Sequence, residues 1–252
     1  MGKARPAPCA NTISLFQRWP QSWKKGLRFD AQSKSRYPGC MSQGNLKPRM
    51  LITGASRGIG KACADYFADR YQVVTVSRSG KATEIGDLTN IAFLQRVISK
   101  YPIVDVLINN VGGGRDTFYE TNMINYMVPA ILMEHYVQTM DGGHIINISS
   151  NVAYGAEAYE QGYPAMPHRR IWYCASKQAL SFLSNALSRA CAKISITCLE
   201  PGKVLTRERE DKPTIDLDAI PKAIDWILSQ NYQSKRQADR LLTTEASDDW
   251  QA

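Results

Sequence analysis

No run of the 252 residues is long and apolar enough to form a membrane-spanning helix, so membrane chemistry is not the place to look for this protein's work. Metal-site cysteine patterns are missing too. The six cysteines (Cys9, Cys40, Cys63, Cys174, Cys191 and Cys198) show no C-x-x-C and no ligand spacing, and no metal is expected. Cys63, Cys191 and Cys198 sit in apolar, regular stretches, which reads as buried free thiols in a reducing compartment. Acid is scarce only at the start. Residues 1–49 carry ten Lys or Arg and one acid, Asp30, while the remainder has a net charge of −1. The formal net charge of +8 therefore belongs to one segment, and a basic nucleic-acid face on the main domain is excluded.

That first segment shows no sustained helix or strand period. It is either a targeting peptide for organellar import or a leader or upstream sequence, with Met41 or Met50 as the functional start. From residue 50 to residue 252 neither repeat nor low-complexity tract interrupts the chain, and the region reads as one domain. Apolar strand-like runs (Met50–Thr53, Gln72–Ser77, Val104–Asn109, His144–Ser149, Ile194–Leu199) alternate with helical patterns over 58–69, 89–100, 121–139, 173–192 and 217–229. Strand–helix alternation implies crossovers, hence an α/β fold with a parallel sheet covered on both faces. One crossover lacks its helix. Only "SRSGKA" separates the second strand from "TEIGDL", too little for the usual dozen residues. The third strand is then very short, or the segment is an extended loop at the sheet edge.

The stretch "TGASRGIG", Thr53–Gly60, joins the first strand to the first helix. A helix start presents unpaired N–H groups and the positive end of its dipole, which attract phosphate. Gly54, Gly58 and Gly60 would let the turn bend sharply and the phosphate approach. Simple strand–helix turn chemistry could also use three glycines, but here the strand precedes and the helix follows.

Further motifs follow in order: "NNVG" at Asn109–Gly112, Asn125 in the next helix, "IINISS" ending at Ser150, "YCASK" with Tyr173 and Lys177, and "PGKVLT" with Pro201, Gly202 and Thr206. Over about residues 50–206 this set resembles the short-chain dehydrogenase/reductase superfamily, and the glycine turn resembles that of 3-oxoacyl-carrier-protein reductases. The resemblance implies a Rossmann-like, doubly wound parallel sheet. It implies a nicotinamide dinucleotide held by Gly54, Ser56, Arg57, Gly58, Ile59, Gly60, Arg78, Asp87, Leu88, Asn110, Val111, Gly112, Tyr173, Lys177, Pro201, Gly202, Val204 and Thr206. The second strand ends in Ser77 and Arg78, without the carboxylate that an NAD site places there. Arg57 and Arg78 would converge on the adenosine ribose, which suits the 2′-phosphate of NADP(H); solvated loop arginines are the plainer alternative. Asp87 would lie beside the adenine, cap the next helix, or do both.

Tyr173 and Lys177 are four residues apart and share a helix face. A nearby ammonium, with the oxidised cofactor's positive ring, would lower the phenol's pKa from about 10 toward neutrality. Ser150 can hydrogen-bond the substrate oxygen. The resemblance adds Asn125, keeping a water in the proton relay, and Lys177 on the nicotinamide ribose. Thr206 would lie near the carboxamide or serve as a cap. Cys174 adjoins Tyr173, but consecutive helix residues point apart, which argues against a redox role. His144 reads as structural and His135 as surface or interface; His168 lies in a loop near the site.

Ser150 and Tyr173 are 23 residues apart, which inserts roughly ten residues beyond the family's habit. The inserted stretch carries Tyr154, Tyr159, Tyr163, Met166, His168, Arg169, Arg170 and Trp172. The arginine pair could receive an acidic substrate or form a solvated basic loop. The region after Thr206 is short, and Asp239–Thr243 is the candidate for a seventh strand. The resulting expectation is a cytoplasmic NADPH-dependent carbonyl reductase, or alcohol dehydrogenase, that acts on a small molecule as a homodimer or homotetramer. The alternative is a non-catalytic dinucleotide-binding sensor or scaffold.

Overall fold

Short apolar runs with both faces buried suit a parallel sheet, and that is how they are used. The computed structural model describes residues 47–154, 168–202, 204, 215–229 and 241–243, with backbone alone at 154, 168–169 and 241–243. The chain divides into the units Met1–Ser42 and Gln43–Ala252. The basic segment up to residue 46 lies outside the described residues.

The strands are β1 (Arg49–Thr53), β2 (Gln72–Ser77), β3 (Glu84–Ile85), β4 (Val106–Asn109), β5 (His144–Ile148), β6 (Ser195–Pro201) and β7 (Leu241–Thr243). They pair in the order β3-β2-β1-β4-β5-β6-β7, parallel throughout. The helices are α1 (Gly58–Phe67), α2 (Ile91–Lys100), α3 (Phe118–Asn122), α4 (Val128–Thr139), α5 (His168–Ala190) and α6 (Ala219–Ser229). Alternate residues of each central strand serve opposite cores. Leu51, Leu107 and Ile145 pack with Phe93, Leu132, Tyr136 and Leu180 from α2, α4 and α5. Met50, Ile52, Ile108 and Ile146 pack with Phe67, Ile220 and Ile224 from α1 and α6. Each such side chain stabilises the fold by about 1.5–3 kcal/mol on burial. The sheet is thus covered on both faces, a Rossmann-like doubly wound arrangement.

Several boundaries differ from the sequence pattern. Arg49, counted there with the basic segment, is the first residue of β1, because its N–H donates to Asp105 Oδ2 at 2.7 Å. The third strand is the very short one of the two alternatives. No helix is needed before it, because Thr75 and Thr83 exchange backbone-to-hydroxyl bonds at 2.9 and 3.2 Å. The seventh strand is present at Leu241–Thr243. The helix carrying Tyr173 begins at His168 rather than 173, so His168 belongs to a helix and not to a loop. His135 is buried, with Nε2 2.9 Å from the Pro102 carbonyl, and is not a surface residue. Asp87 does not cap α2. Asn90 does, accepting from the N–H groups of Ala92 and Phe93.

Between α3 and α4 the helix widens into a π turn, Met123–Met127, with Asn125 at its centre. Single π turns of this kind concentrate at functional sites. Pro129 follows four residues after Asn125 and has no N–H, so the Asn125 carbonyl lacks an ordinary i+4 helical donor.

Candidate active site

Strand order reverses between β1 and β4: from β1 the chain moves outward to β2 and β3, then returns to the other side of β1. A crevice forms outside the carboxyl ends of strands at such a switch point. Here it has a volume of about 690 Å³ and takes its walls from the turn after β1, the end of β2, the segment after β3 and the loop after β4.

The first turn does need glycines, for its backbone angles and for close packing within the protein. Gly54 has φ +71°. A Cβ on Gly60 would stand 2.5 Å from both the Gly54 carbonyl oxygen and Asn110 Nδ2. Arg57 stands at the N-cap of α1 with extended backbone and no side-chain cap bond, so the first N–H groups of the helix face the crevice without a side-chain acceptor. This is the donor set that a pyrophosphate requires. Asn110 lines the crevice, but its amide donates to the Thr53 and Gly54 carbonyls at 2.9 and 3.0 Å. It therefore locks the turn to the β4 loop.

Ser56, Arg57, Ile59, Arg78, Asp87, Leu88, Val111 and Gly112 also line the crevice. Asp87 is the one acid among the described lining residues. Burial opposes its ionisation, yet the Thr89 N–H and hydroxyl, with Arg78 and Arg115 nearby, hold its carboxyl below the usual range. Arg115 was missed by sequence reasoning. It follows "NNVGGG", and nothing in its spacing marks it as a lining residue.

The candidate catalytic side chains are not among the residues lining the crevice, but two of them, Asn125 and Lys177, stand directly behind its lining residue Gly112. A Cβ on Gly112 would stand 2.8 Å from Asn125 Oδ1 and 3.3 Å from Lys177 Nζ. Asn125 is fully buried. Its Oδ1 accepts from Gly113 N at 2.8 Å, and its Nδ2 donates to the Gly113 carbonyl at 3.1 Å and to Ser176 Oγ at 3.0 Å. The Ser150 hydroxyl is close enough to the Tyr173 phenol to favour its ionised form, and it also accepts from Val152 N at 3.4 Å. The neighbouring Ser149 is turned inward, donating to the Lys177 carbonyl at 3.0 Å and accepting from Ser181 at 2.8 Å.

Lys177 is 3% exposed, and its Nζ donates to the Ile148 carbonyl at 2.7 Å. Burial lowers its pKa to about 8. The Tyr173 phenol behaves differently from the sequence expectation. Burial pushes its pKa up, with the Ser150 hydroxyl opposing. The Lys177 ammonium, 5.9 Å from the ring centroid and directed at a carbonyl, does not reverse this. Burial likewise raises the pKa of Cys174, against the pull of Arg170, which fits an unreactive thiol.

Pro201 ends β6, Gly202 follows it, and Val204 forms a parallel bridge with Ile215; none of the three is among the described residues lining the crevice. Thr206 and the inserted Tyr159, Tyr163 and Met166 lie outside the described residues, as do the side chains of Tyr154, His168 and Arg169. Trp172 packs edge-on against Phe118, with ring centroids 6.4 Å apart.

A doubly wound parallel sheet with a glycine-lined crevice at its switch point defines a Rossmann-like dinucleotide-binding protein. Residues 48–214 match the family model for short chain dehydrogenases, and the chain belongs to that family. An uncharacterised oxidoreductase of Thermotoga maritima is 30% identical over 55% of this chain, a match spanning 64% of that protein. A Drosophila melanogaster dehydrogenase/reductase SDR family protein 7-like is 27% identical, over 93% of this chain and 76% of its own. Among solved structures, a Thermococcus sibiricus alcohol dehydrogenase complexed with 5-hydroxy-NADP superposes with a TM-score of 0.60 at 21% identity, covering 78% of this chain and 95% of that one. A 3-alpha-hydroxysteroid dehydrogenase from Pseudomonas sp. B-0831 complexed with NADH gives 0.60 at 18% identity, covering 77% and 94%.

Proposed function

We propose that this chain is an NADPH-dependent oxidoreductase that interconverts a carbonyl compound and its alcohol. The observation that supports the proposal is the chain of neighbours behind Gly112, a lining residue of the arginine-bearing crevice: Asn125 and Lys177 at Gly112, Tyr173 with its ring 5.9 Å from the Lys177 ammonium, and Ser150 acting on the Tyr173 phenol. The glycine cradle at Gly54 and Gly60 and the α1 N-terminus fit the pyrophosphate of a dinucleotide. Arg57 and Arg78, with no acid at the end of β2, suit a 2′-phosphate better than a bare ribose. When bound, the dinucleotide supplies hydride to the carbonyl carbon or accepts it from the alcohol.

The remaining chemistry is the chain's own. Ser150 donates a hydrogen bond to the substrate oxygen and orients it. The Tyr173 hydroxyl, kept protonated by burial, transfers its proton to that oxygen during reduction and recovers one in the reverse direction. The buried Lys177 ammonium would hold the nicotinamide ribose, and the side chain of Ser150 favours the phenolate that results. The Asn125 carbonyl, without an i+4 donor, holds a water that reconnects the site to solvent.

Free thiols at Cys63, Cys174, Cys191 and Cys198 favour a reducing, cytoplasmic setting. Pairing of two copies through α4 and α5 is the assembly that the family suggests.

The test is to mix the full chain with NADPH and a panel of ketones and aldehydes and follow the loss of reduced-cofactor absorbance. Turnover is expected, with Tyr173→Phe lowering it about a hundredfold or more while NADPH still binds. Tight NADPH binding without turnover across a broad panel would instead identify a sensor or scaffold.

A further inference from the structure

Arg57 and Arg78 do not complete the cationic end of the crevice. Arg115, in the loop after β4, lines the same cavity. It also lines a second cavity of about 400 Å³ that adjoins the first and shares Arg78, Asp87 and Arg115 with it. Arg57, Arg78 and Arg115 therefore line the first cavity, where Asp87 is the described acid, while Asp116 and Glu120 also line the second. The ion pairs among the described residues are Lys61–Asp65, Arg70–Asp225 and Lys100–Glu84, and none of them involves these three arginines. Asp87 offsets part of the charge of Arg78 and Arg115, and the cationic excess that remains in the crevice favours an anionic ligand.

Arg115 is also held in place. Its N–H donates to Thr121 Oγ1 at 3.2 Å. Two residues earlier, Gly113 exchanges both of its backbone bonds with the Asn125 side chain. Thr117 caps α3 through Glu120 N at 3.1 Å and donates to Glu120 Oε2 at 2.9 Å. The loop is pinned on both sides of Arg115, and the half-buried side chain projects from a fixed point beside Arg78 and Asp87.

We propose that Arg115 is a specificity-determining residue that closes over the adenosine ribose from the β4 side and binds its 2′-phosphate together with Arg57 and Arg78. The inference rests on the NADP reading above and adds to it a third cation from a different element. A dianionic phosphomonoester has enough acceptor oxygens for three guanidiniums, and two arginines from one side leave its far oxygens exposed.

The experiment measures dissociation constants of the full chain for NADPH, NADH, adenosine 2′,5′-bisphosphate and 5′-AMP, by tyrosine and tryptophan fluorescence or calorimetry. Wild type, Arg115→Ala and Arg115→Lys are compared. Arg115→Ala is expected to weaken NADPH and the bisphosphate by about tenfold or more, with NADH and 5′-AMP unchanged. Arg115→Lys should recover part of the loss, and the melting temperature without ligand should not move. A merely structural role would not change the ratio of the two cofactors. Equal weakening of all four ligands overturns the inference, since the arginine would then be stacking on adenine or shaping the loop. Unchanged affinities overturn it as well. If Arg115→Ala fails to fold, Arg115→Lys and Arg115→Gln carry the same comparison. A wild-type chain that binds NADH as well as NADPH overturns the NADP reading and this inference with it. A wild type that prefers NADPH, with an alanine variant that keeps the preference, overturns this inference alone.

Discussion

Lys177 holds its ammonium in the protein interior with the Ile148 carbonyl 2.7 Å away. That placement has a thermodynamic signature separate from any catalysis. Burial lowers its pKa from the ordinary 10.5 to about 8. Below pH 8 the group is protonated folded and unfolded, and the whole cost of burying the charge is present. Between about pH 8 and 10.5 the folded chain has released a proton that the unfolded chain keeps, so this residue's contribution to stability rises with pH. Lys177→Met has nothing to titrate and lacks this gain. Thermal melts of both proteins from neutral pH to pH 10.5 should show the variant's advantage shrinking as pH rises, and a difference that stays constant would contradict the burial assigned here. Tyr173 works in the opposite sense, its raised pKa favouring the protonated phenol. If Tyr173 is the proton donor proposed above, reduction should hold its rate through neutral pH, while alcohol oxidation, which would need the phenolate, should accelerate as the solution becomes alkaline.

At the scale of elements, α5 matters because it carries both Tyr173 and Lys177. It is fastened to the sheet by a buried polar row. Asn109 and Asn147 are register partners on β4 and β5, and Asn147 pairs in turn with Cys198 on β6. Asn109 Nδ2 donates to Asn147 Oδ1 at 2.8 Å, and Asn147 Nδ2 donates to Ser184 Oγ on α5 at 2.9 Å. Ser181, one turn nearer the site, donates to Ser149. Hydrogen bonds fix the helix's rotation and translation where apolar contacts alone would allow it to slide. Asn147→Ala removes the middle of the row and leaves Asn109 and Ser184 buried without it. Unfolding by urea should show a loss of about 2–3 kcal/mol, and turnover should fall further than NADPH affinity because the helix bearing the proton donor is loosened. The π turn across from this helix belongs to the same design: it widens the backbone at Asn125, whose amide reaches Ser176 on α5.

For the whole molecule, the switch point between β1 and β4 brings the two functional ends together. The loop after β4 runs from Gly112, against Lys177 and Asn125, to Arg115 beside Arg78. One eight-residue connection thereby spans the crevice from reacting centre to adenosine end. Apolar side chains remain on the outer faces of the helices that flank it: Phe182 on α5 is 75% exposed, and Phe118 at the start of α3 is 57% exposed. If two copies pair through this side, sedimentation should give a dimer or larger species for the wild type, and Phe182→Asp should shift it toward monomer. An unchanged distribution would place any assembly elsewhere.

Much of this was written in local sequence. Alternating apolar runs specify the central strands, since a parallel strand buried on both faces has to be apolar along its length. The spacing of Gly54, Gly58 and Gly60, the four-residue step from Tyr173 to Lys177, and the absence of an acid after β2 are likewise visible in one dimension. Three things depended on distance through space. Arg115 joins the cationic crevice only because β4 lies beside β1, not beside β3. Lys177 changes character because α5 presses its ammonium against the Ile148 carbonyl, so burial outweighs the phenol it was expected to assist. The Asn125 side chain is taken up by Gly113 and Ser176, two groups far from it in sequence that only the folded chain brings to it. Residue order sets what each short segment can do; which segments become neighbours, and how much water they exclude, is settled only when the sheet closes.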